Sequence, residues 1–562
     1  MTAPTSEIAD RIVVDLTTEC VAARAQLQAA LPPGGLLPED DLPDLSPAGQ
    51  KRTTDAVRRA RALLAEAADD DPTTVAVLDT FLALGDPGGL PGTDGAGFEP
   101  YFHDVFGYGK PLLEYDELLT SMPITSRREA ESYLARLNGC GEYVDGILAG
   151  VDERADLGLA STEESISRTV AQLDARCSQP PGESALVAHL ATRLAAAGLD
   201  AGDLVDRATG LVETRVHASW ARLAERGRAL LPTAREPLGL CALPGGDAAY
   251  RYAVRAGTTT DLTPEQIHQR GLDEVERLHD VIRNAFHSLG LRGSDVGDLY
   301  RELAARDDQK YPAGDRDAVV HDVAAVVRDI GPALKPFFTD WPTTPCPVEV
   351  VAPALEPVMP SHVRPPRVAG QPFTFGLNVA DALAGTRSET HVLTWHEALP
   401  GHALQMALAS QRRDLPGIRR VLMFNAYSEG WAKYAETLPL SLGVQNDPFL
   451  ELARLRYELF STSNLVADTG CNLLGWDVER VRTYCSWATG DDTRQPRMIP
   501  LRSLHTPGQL LGYKVGMLAF EDALTAAQKL WGTGFTFPRF HDAVLNGGSL
   551  PLSMLQQAVA RG

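Results

Sequence analysis

The chain has 562 residues, 44% of them hydrophobic and 22% charged, the composition of an ordinary globular protein long enough for a large core. A formal net charge of -22 sets it against nucleic acid and anionic membrane surfaces, which would repel it. The stretch from Met1 to Asp10 has neither the basic region nor the apolar run of an export signal. No stretch approaches the roughly 18 uninterrupted apolar residues of a membrane span, so a cytoplasmic location is expected. The 7 Cys are scattered, odd in number and without a C-x-x-C pair, which argues for reduced thiols and against a disulfide framework or a thiolate metal site.

Taken in order, a first helix is predicted from Ser6 to about Ala30 and a second from Thr53 to Ala68, separated by a Pro/Gly/Asp-rich link. The Gly/Pro run before Phe98 reads as a loop. The aromatics from Phe98 to Tyr108 form either a packing patch or a cap over a cleft. Helices follow from Glu129 to Val151, Thr162 to Leu173, Glu183 to Ala197 and Asp203 to Leu230. Gln179-Pro180-Pro181-Gly182 interrupts the series, which suggests an N-terminal helical lobe, 1–179, and a second region, 180–562. There is no strand-helix alternation, so the fold is expected to be mainly α: a large multi-helix protein with a deep cleft between two lobes and a small β-sheet beside the motif helix described below.

Thr263-Pro264-Glu265-Gln266 is a capping box with Pro at the first helical position, and apolar residues from Ile267 to Leu289 recur at helical spacing behind it. Another helix is predicted from Ala318 to Leu334. Pro347 to Val351 and Pro372 to Val379 bunch β-formers and supply the small sheet. An edge strand there could pair with an extended peptide, with Asn378 as a substrate contact; the competing reading is a strand that only covers the core.

His396-Glu397-Ala398-Leu399-Pro400-Gly401-His402 places two imidazoles around a carboxylate, the residue types that metal-dependent hydrolases use to hold a cation and take a proton from water. The usual spacing of four puts both His within about 40° on one helical face, whereas six residues rotate about 240° beyond a full turn and would aim His402 away. Pro400 cannot donate to the His396 carbonyl and Gly401 tolerates unusual dihedrals, so a local bulge is predicted to return both rings to one side. Without a metal, the same residues would be a Pro-broken buried helix whose His satisfy core carbonyls. Downstream, Glu429 and Glu436 are two turns apart on one face. Glu429, flanked by the small Ser428 and Gly430, is expected as the third ligand; Glu436 is expected to brace a ligand or to be solvated.

Phe449 to Val466 reads as an amphipathic helix ending at Asp468-Thr469-Gly470, with Gly470 as C-cap. Asp468, among apolar neighbours, needs a partner and is a candidate to orient a ligating imidazole, or else to form a buried ion pair.

The H-E-x-x-x-G-H motif, the Glu429-Gly430-Trp431 segment, Asp468-Thr469-Gly470, Pro507-Gly508-Gln509 with Gly512-Tyr513-Lys514, and Phe540-His541-Asp542 together resemble the bacterial family called domain of unknown function 885. The resemblance runs from about Pro180 to the C-terminus. The family is similar to helical zinc peptidases such as thimet oligopeptidase and carboxypeptidase Taq. It implies one Zn²⁺, or another divalent transition metal, on His396, His402 and Glu429, with Glu397 as base. Resemblance to carboxypeptidase Taq around His505 and Tyr513 implies groups that stabilise an oxyanion, and Arg502 or His505 could hold a substrate carboxylate. The chain departs from the family at Asn464, Asn472 and Ser503, where Arg, His and Tyr are usual.

These residues point to a hydrolase of peptidase type acting on short peptides or other small substrates, with no nucleic-acid or membrane partner. Two other readings stay open: a metal-dependent biosynthetic enzyme acting on a small natural-product intermediate, motivated by the three departures, and a non-catalytic scaffold with a closed four-ligand metal.

Overall fold

The computed structural model describes residues 3–19, 41–86, 104–106, 110–120, 122, 124–236, 239–342, 346–353, 356, 359–366, 371–491 and 494–562. The chain divides into two units, Met1–Ala249 and Tyr250–Gly562. The Pro-rich break at 179–182 lies inside the first unit, as a short 3-10 turn (Pro181–Glu183) between two helices.

The first unit is helical. Its opening helix runs Thr5–Glu19, and the predicted continuation to Ala30 lies outside the described residues. The second is Pro47–Leu64, started by the Ser46 side chain accepting from Gly49 N–H, so it begins earlier than its apolar periodicity indicated. The stretch read as one helix from Glu129 to Val151 is two, α1 (Arg127–Asn138) and α2 (Cys140–Asp156), meeting at Gly139. α3 (Glu163–Cys177) packs on α4 (Ala218–Leu230), and the turn before α4 is a π-helical segment, Val212–His217. Their core is aromatic: Tyr115 meets the Trp220 indole edge-on, with ring centroids 5.5 Å apart. Phe106 is buried in the same core, and the remaining aromatics between Phe98 and Tyr108 lie outside the described residues.

The second unit carries the motifs. α5 (Pro264–Ser288) opens with the predicted box, Thr263 accepting from Gln266 N–H and the Gln266 side chain accepting from Thr263 N–H. Its apolar face, Val275, Leu278, Ile282 and Phe286, packs with Leu452, Leu455 and Leu459 of α9 (Pro448–Asn472). Three short strands precede the motif: β1 (Val348–Val350), β2 (His362–Arg364) and β3 (Thr374–Leu377), in the order β1-β3-β2, with β1 parallel and β2 antiparallel to β3. β2 was not foreseen, because three residues in a Pro-rich run carry no alternation to read.

α9 corrects the expectation for Gly470. The helix does not end there but runs on to Asn472, and a Cβ at Gly470 would collide with the Trp476 indole. This glycine makes room for a ring and does not cap.

Candidate metal centre

The two imidazoles stand on different helices: α6 (Arg387–Glu397) ends one residue after His396, and α7 (His402–Gln411) begins at the second. The break is complete, not the bulge in a continuous helix that the spacing suggested. Gly401 has an ordinary negative φ of -78°, so it is not there for a left-handed turn. A Cβ at Gly401 would run into the carbonyls of His396 and Trp395, and its N–H donates to Trp395 O at 2.9 Å. The lack of room for a Cβ selects glycine here.

The third helix, α8 (Asn425–Ala435), supplies three parts from consecutive residues. Glu429 directs Oε2 to 3.5 Å from His396 Nε2 and 3.4 Å from His402 Nε2. Gly430 lets α8 lie against Gly516 of α10 (Leu511–Trp531) with backbones nearly touching. Trp431 donates its indole N–H to the carbonyls of Pro400 (3.1 Å) and Gly401 (3.3 Å), clamping the break between the ligand helices. That clamp was not legible in sequence, since Trp431 reads as core.

His396, His402 and Glu429 form a set whose ligand atoms all lie within 4.8 Å of one another. The fit to a cation can be tested on the separations. A tetrahedral ion with bonds of about 2.0 to 2.1 Å needs donors about 3.3 to 3.5 Å apart, and the two Glu429 distances match. Glu429 Oε2 is buried and makes no hydrogen bond of proper geometry with a described residue, the state of an acceptor placed for a cation.

Each imidazole is held from behind. His396 Nδ1 lies 2.8 Å from Glu436 Oε1, and His402 Nδ1 lies 3.2 Å from Ser428 Oγ. Glu436 is therefore not solvated; it is 1% exposed. Burial opposes a charged His396, but the carboxylates of Glu429 and Glu436 outweigh it and hold this imidazole at about 10. Burial raises Glu429, yet the two imidazoles keep it well below the usual carboxylate range. Glu397, adjacent to His396 and half-buried, makes no hydrogen bond or ion pair with a described residue, and burial pushes its pKa up.

Tyr513 lies nearly parallel to the His396 ring, with centroids 6.4 Å apart. Burial and the Glu429 charge push its hydroxyl up to about 12. Arg502 reaches the Tyr513 hydroxyl at 3.4 Å and Gln509 Oε1 at 2.5 Å, and Gln509 in turn donates to Asn425 Oδ1. His505 is half-buried at the end of the helix Arg494–His505 and is not one of the three converging ligands.

Two expected residues belong elsewhere. Asn378 follows β3, the central strand and not an edge; it is 1% exposed and caps the helix Val379–Ala384. Its Nδ2 donates to Glu356 O and Met359 O, so its hydrogen-bonding capacity is spent on the fold and not on substrate. Asp468 touches neither imidazole. Its Oδ1 accepts from Tyr250 O–H (2.7 Å) and Gly508 N–H (3.0 Å). Of the departures, Asn472 donates to Asp468 O and Ser503 O, the Ser503 hydroxyl lies beside Asp468, and both side-chain polar atoms of Asn464 are buried without a hydrogen-bond partner among the described residues.

Residues 30–559 match the family described as a bacterial protein of unknown function (DUF885). The chain belongs to the DUF885 family. The family match starts far ahead of Pro180 and takes in most of the first unit. Among solved structures, a candidate lipoprotein from Colwellia psychrerythraea is 25% identical to this DUF885 chain over 99% of each, with a TM-score of 0.91. A candidate lipoprotein of unknown function from Shewanella oneidensis is 17% identical, covering 99% of this chain and 100% of that one, with a TM-score of 0.69. A candidate oligoendopeptidase F from Bacillus anthracis str. Ames is 13% identical over 97% of this chain and 94% of that one, and at a TM-score of 0.29 the likeness carries no argument. No curated protein matches. Among the described residues, no helix is long and apolar enough to cross a membrane.

Proposed function

We propose that this DUF885 protein is a metal-dependent hydrolase of peptidase type that cleaves amide bonds in short peptides or peptide-like substrates, with zinc as its ion. The supporting observation is the conjunction of three converging ligand atoms with a carboxylate, Glu397, next to one of them that makes no hydrogen bond or ion pair with a described residue. Zinc bound there would polarise a carbonyl and acidify a water. Glu397, beside His396, would serve as the base that accepts a proton from the attacking water and returns it to the leaving nitrogen. Tyr513 donates its hydroxyl hydrogen to the developing oxyanion, and Arg502 holds the tyrosine's oxygen from behind and offers a cation to a substrate carboxylate. A closed structural centre would need a fourth protein ligand; among the described residues three converge.

The test is Glu397→Gln. It is expected to bind zinc as the parent does and to lose peptide turnover by about 10² to 10⁴-fold, a base's ordinary contribution. Undiminished turnover sinks the assignment.

A second reading keeps the metal and replaces the peptide with a small biosynthetic intermediate. It is favoured by Asn464, whose two side-chain polar atoms are buried with no hydrogen-bond partner among the described residues, a need that a compact polar ligand or ordered water meets. Peptide libraries set against pooled small metabolites separate the two, since broad cleavage of peptides fits only the first. We also propose a cytoplasmic location, on the scattered, odd-numbered cysteines of the sequence, which suit a reducing compartment.

A further inference from the structure

We propose that Lys433 is a positioning residue for the metal centre, acting on His396 through Glu436; the inference rests on reading His396, His402 and Glu429 as metal ligands. Lys433 is 1% exposed, although it sits on a helix whose charged residues would ordinarily face solvent. Its ammonium donates to Glu436 Oε2 at 2.6 Å, while Glu436 Oε1 lies 2.8 Å from His396 Nδ1. Both oxygens of one buried carboxylate are thus engaged, one by a cation and one by the imidazole. From the other side, Lys433 Nζ lies 5.7 Å from the centroid of the Tyr457 ring on α9.

Two consequences follow for His396. A carboxylate tied at both ends cannot rotate, so it fixes the plane of the imidazole and keeps the hydrogen on Nδ1, leaving Nε2 to face Glu429. The Lys433 charge also balances that of Glu436, which would otherwise be a buried anion of high cost. Among the described residues His402 has no such arrangement, its Nδ1 meeting the neutral Ser428 hydroxyl. One of the two rings is therefore anchored through a charge pair and the other through a hydroxyl. Removing Lys433 leaves Glu436 with a single tether and loosens the ring that depends on it.

The experiment uses the full chain stripped of metal. It compares zinc affinity by competition with a chromogenic chelator, the visible absorption of the Co²⁺-loaded protein, and the melting midpoint without metal. Lys433→Met is expected to weaken zinc binding about ten- to a hundredfold, the usual effect of losing a residue behind a ligand, and to move the Co²⁺ bands. Should that variant fail to fold, Lys433→Gln keeps an N–H donor for Glu436 without the charge and is expected to move both readouts in the same direction. A lowered melting midpoint with zinc affinity within about twofold of the parent and unmoved Co²⁺ bands overturns the proposal, leaving Lys433 a structural residue. A parent protein that binds no zinc overturns the metal reading itself, and this inference with it.

Discussion

Asp468 and His541 are buried groups whose ionisation pulls stability in opposite directions. Burial pushes Asp468 up to about 7 from 3.8, against the hydrogen bonds from Tyr250 and Gly508, the nearby Ser503 hydroxyl and the charge of Arg502. Its folded value lies above its unfolded one, so its contribution to stability is lost as pH rises from about 4 to 7 and stays lost above. His541 is pushed down to about 4 by burial, with Nδ1 against Phe337 O and its ring stacked on Phe338. Its contribution is present above pH 6.5 and is lost as pH falls towards 4. Asp468→Asn keeps an acceptor for Tyr250 and Gly508 and removes the charge. It is expected to raise stability at about pH 8 by about 2 kcal/mol, to leave it little changed near about pH 4.5, and so to steepen the decline below about pH 6.5. Unfolding measured across that range checks this, and an equal shift at both ends would mean packing alone. That Asp468 needs a partner was legible; that Tyr250, 218 residues away, provides it was not. Nor does helical periodicity say that Lys433 turns inward, because only the fold brings Tyr457 of α9 to face it.

At the scale of elements, locally encoded features were readable and those set by a neighbour were not. The box at Thr263 and Gln266 and the interruption at Pro400 depend on residues within a few positions, and the structure has both. Gly470 and Asn378 looked like a C-cap and a strand residue because their true determinants, the Trp476 indole and the Glu356 and Met359 carbonyls, lie elsewhere in the chain. The small residues around Glu429 did signal close approach. Gly430 faces Gly516 so tightly that a methyl group has no place to go, the obstacle being backbone. Gly430→Ala is therefore expected to cost about 3 kcal/mol, the upper end of what overpacking costs because the neighbour is backbone, and to reduce metal binding with it. Thermal melting of the variant checks this, and a midpoint within about a degree of the parent would show that the two helices can separate freely.

For the molecule as a whole, the helical class was legible because strand-helix alternation is missing from the sequence, whereas the family likeness reaches further towards the N-terminus than its motifs alone revealed. A ligand that binds only the folded form stabilises it by mass action. Zinc at about a hundred times its dissociation constant is expected to add about 2.7 kcal/mol and to raise the melting midpoint in a concentration-dependent way. The shift is expected to vanish in His396→Ala; if it persists there, the cation sits elsewhere.

The hinge at Ala398–Gly401, closed by an indole from α8, bears on how the protein matures. A nascent chain that has emerged only as far as Gln411 already owns both imidazoles, but neither the acid nor the indole that squares them up. On the proposed metal reading the third ligand, Glu429, arrives only with α8, so a peptide covering 387–411 is expected to bind zinc far more weakly than the full chain.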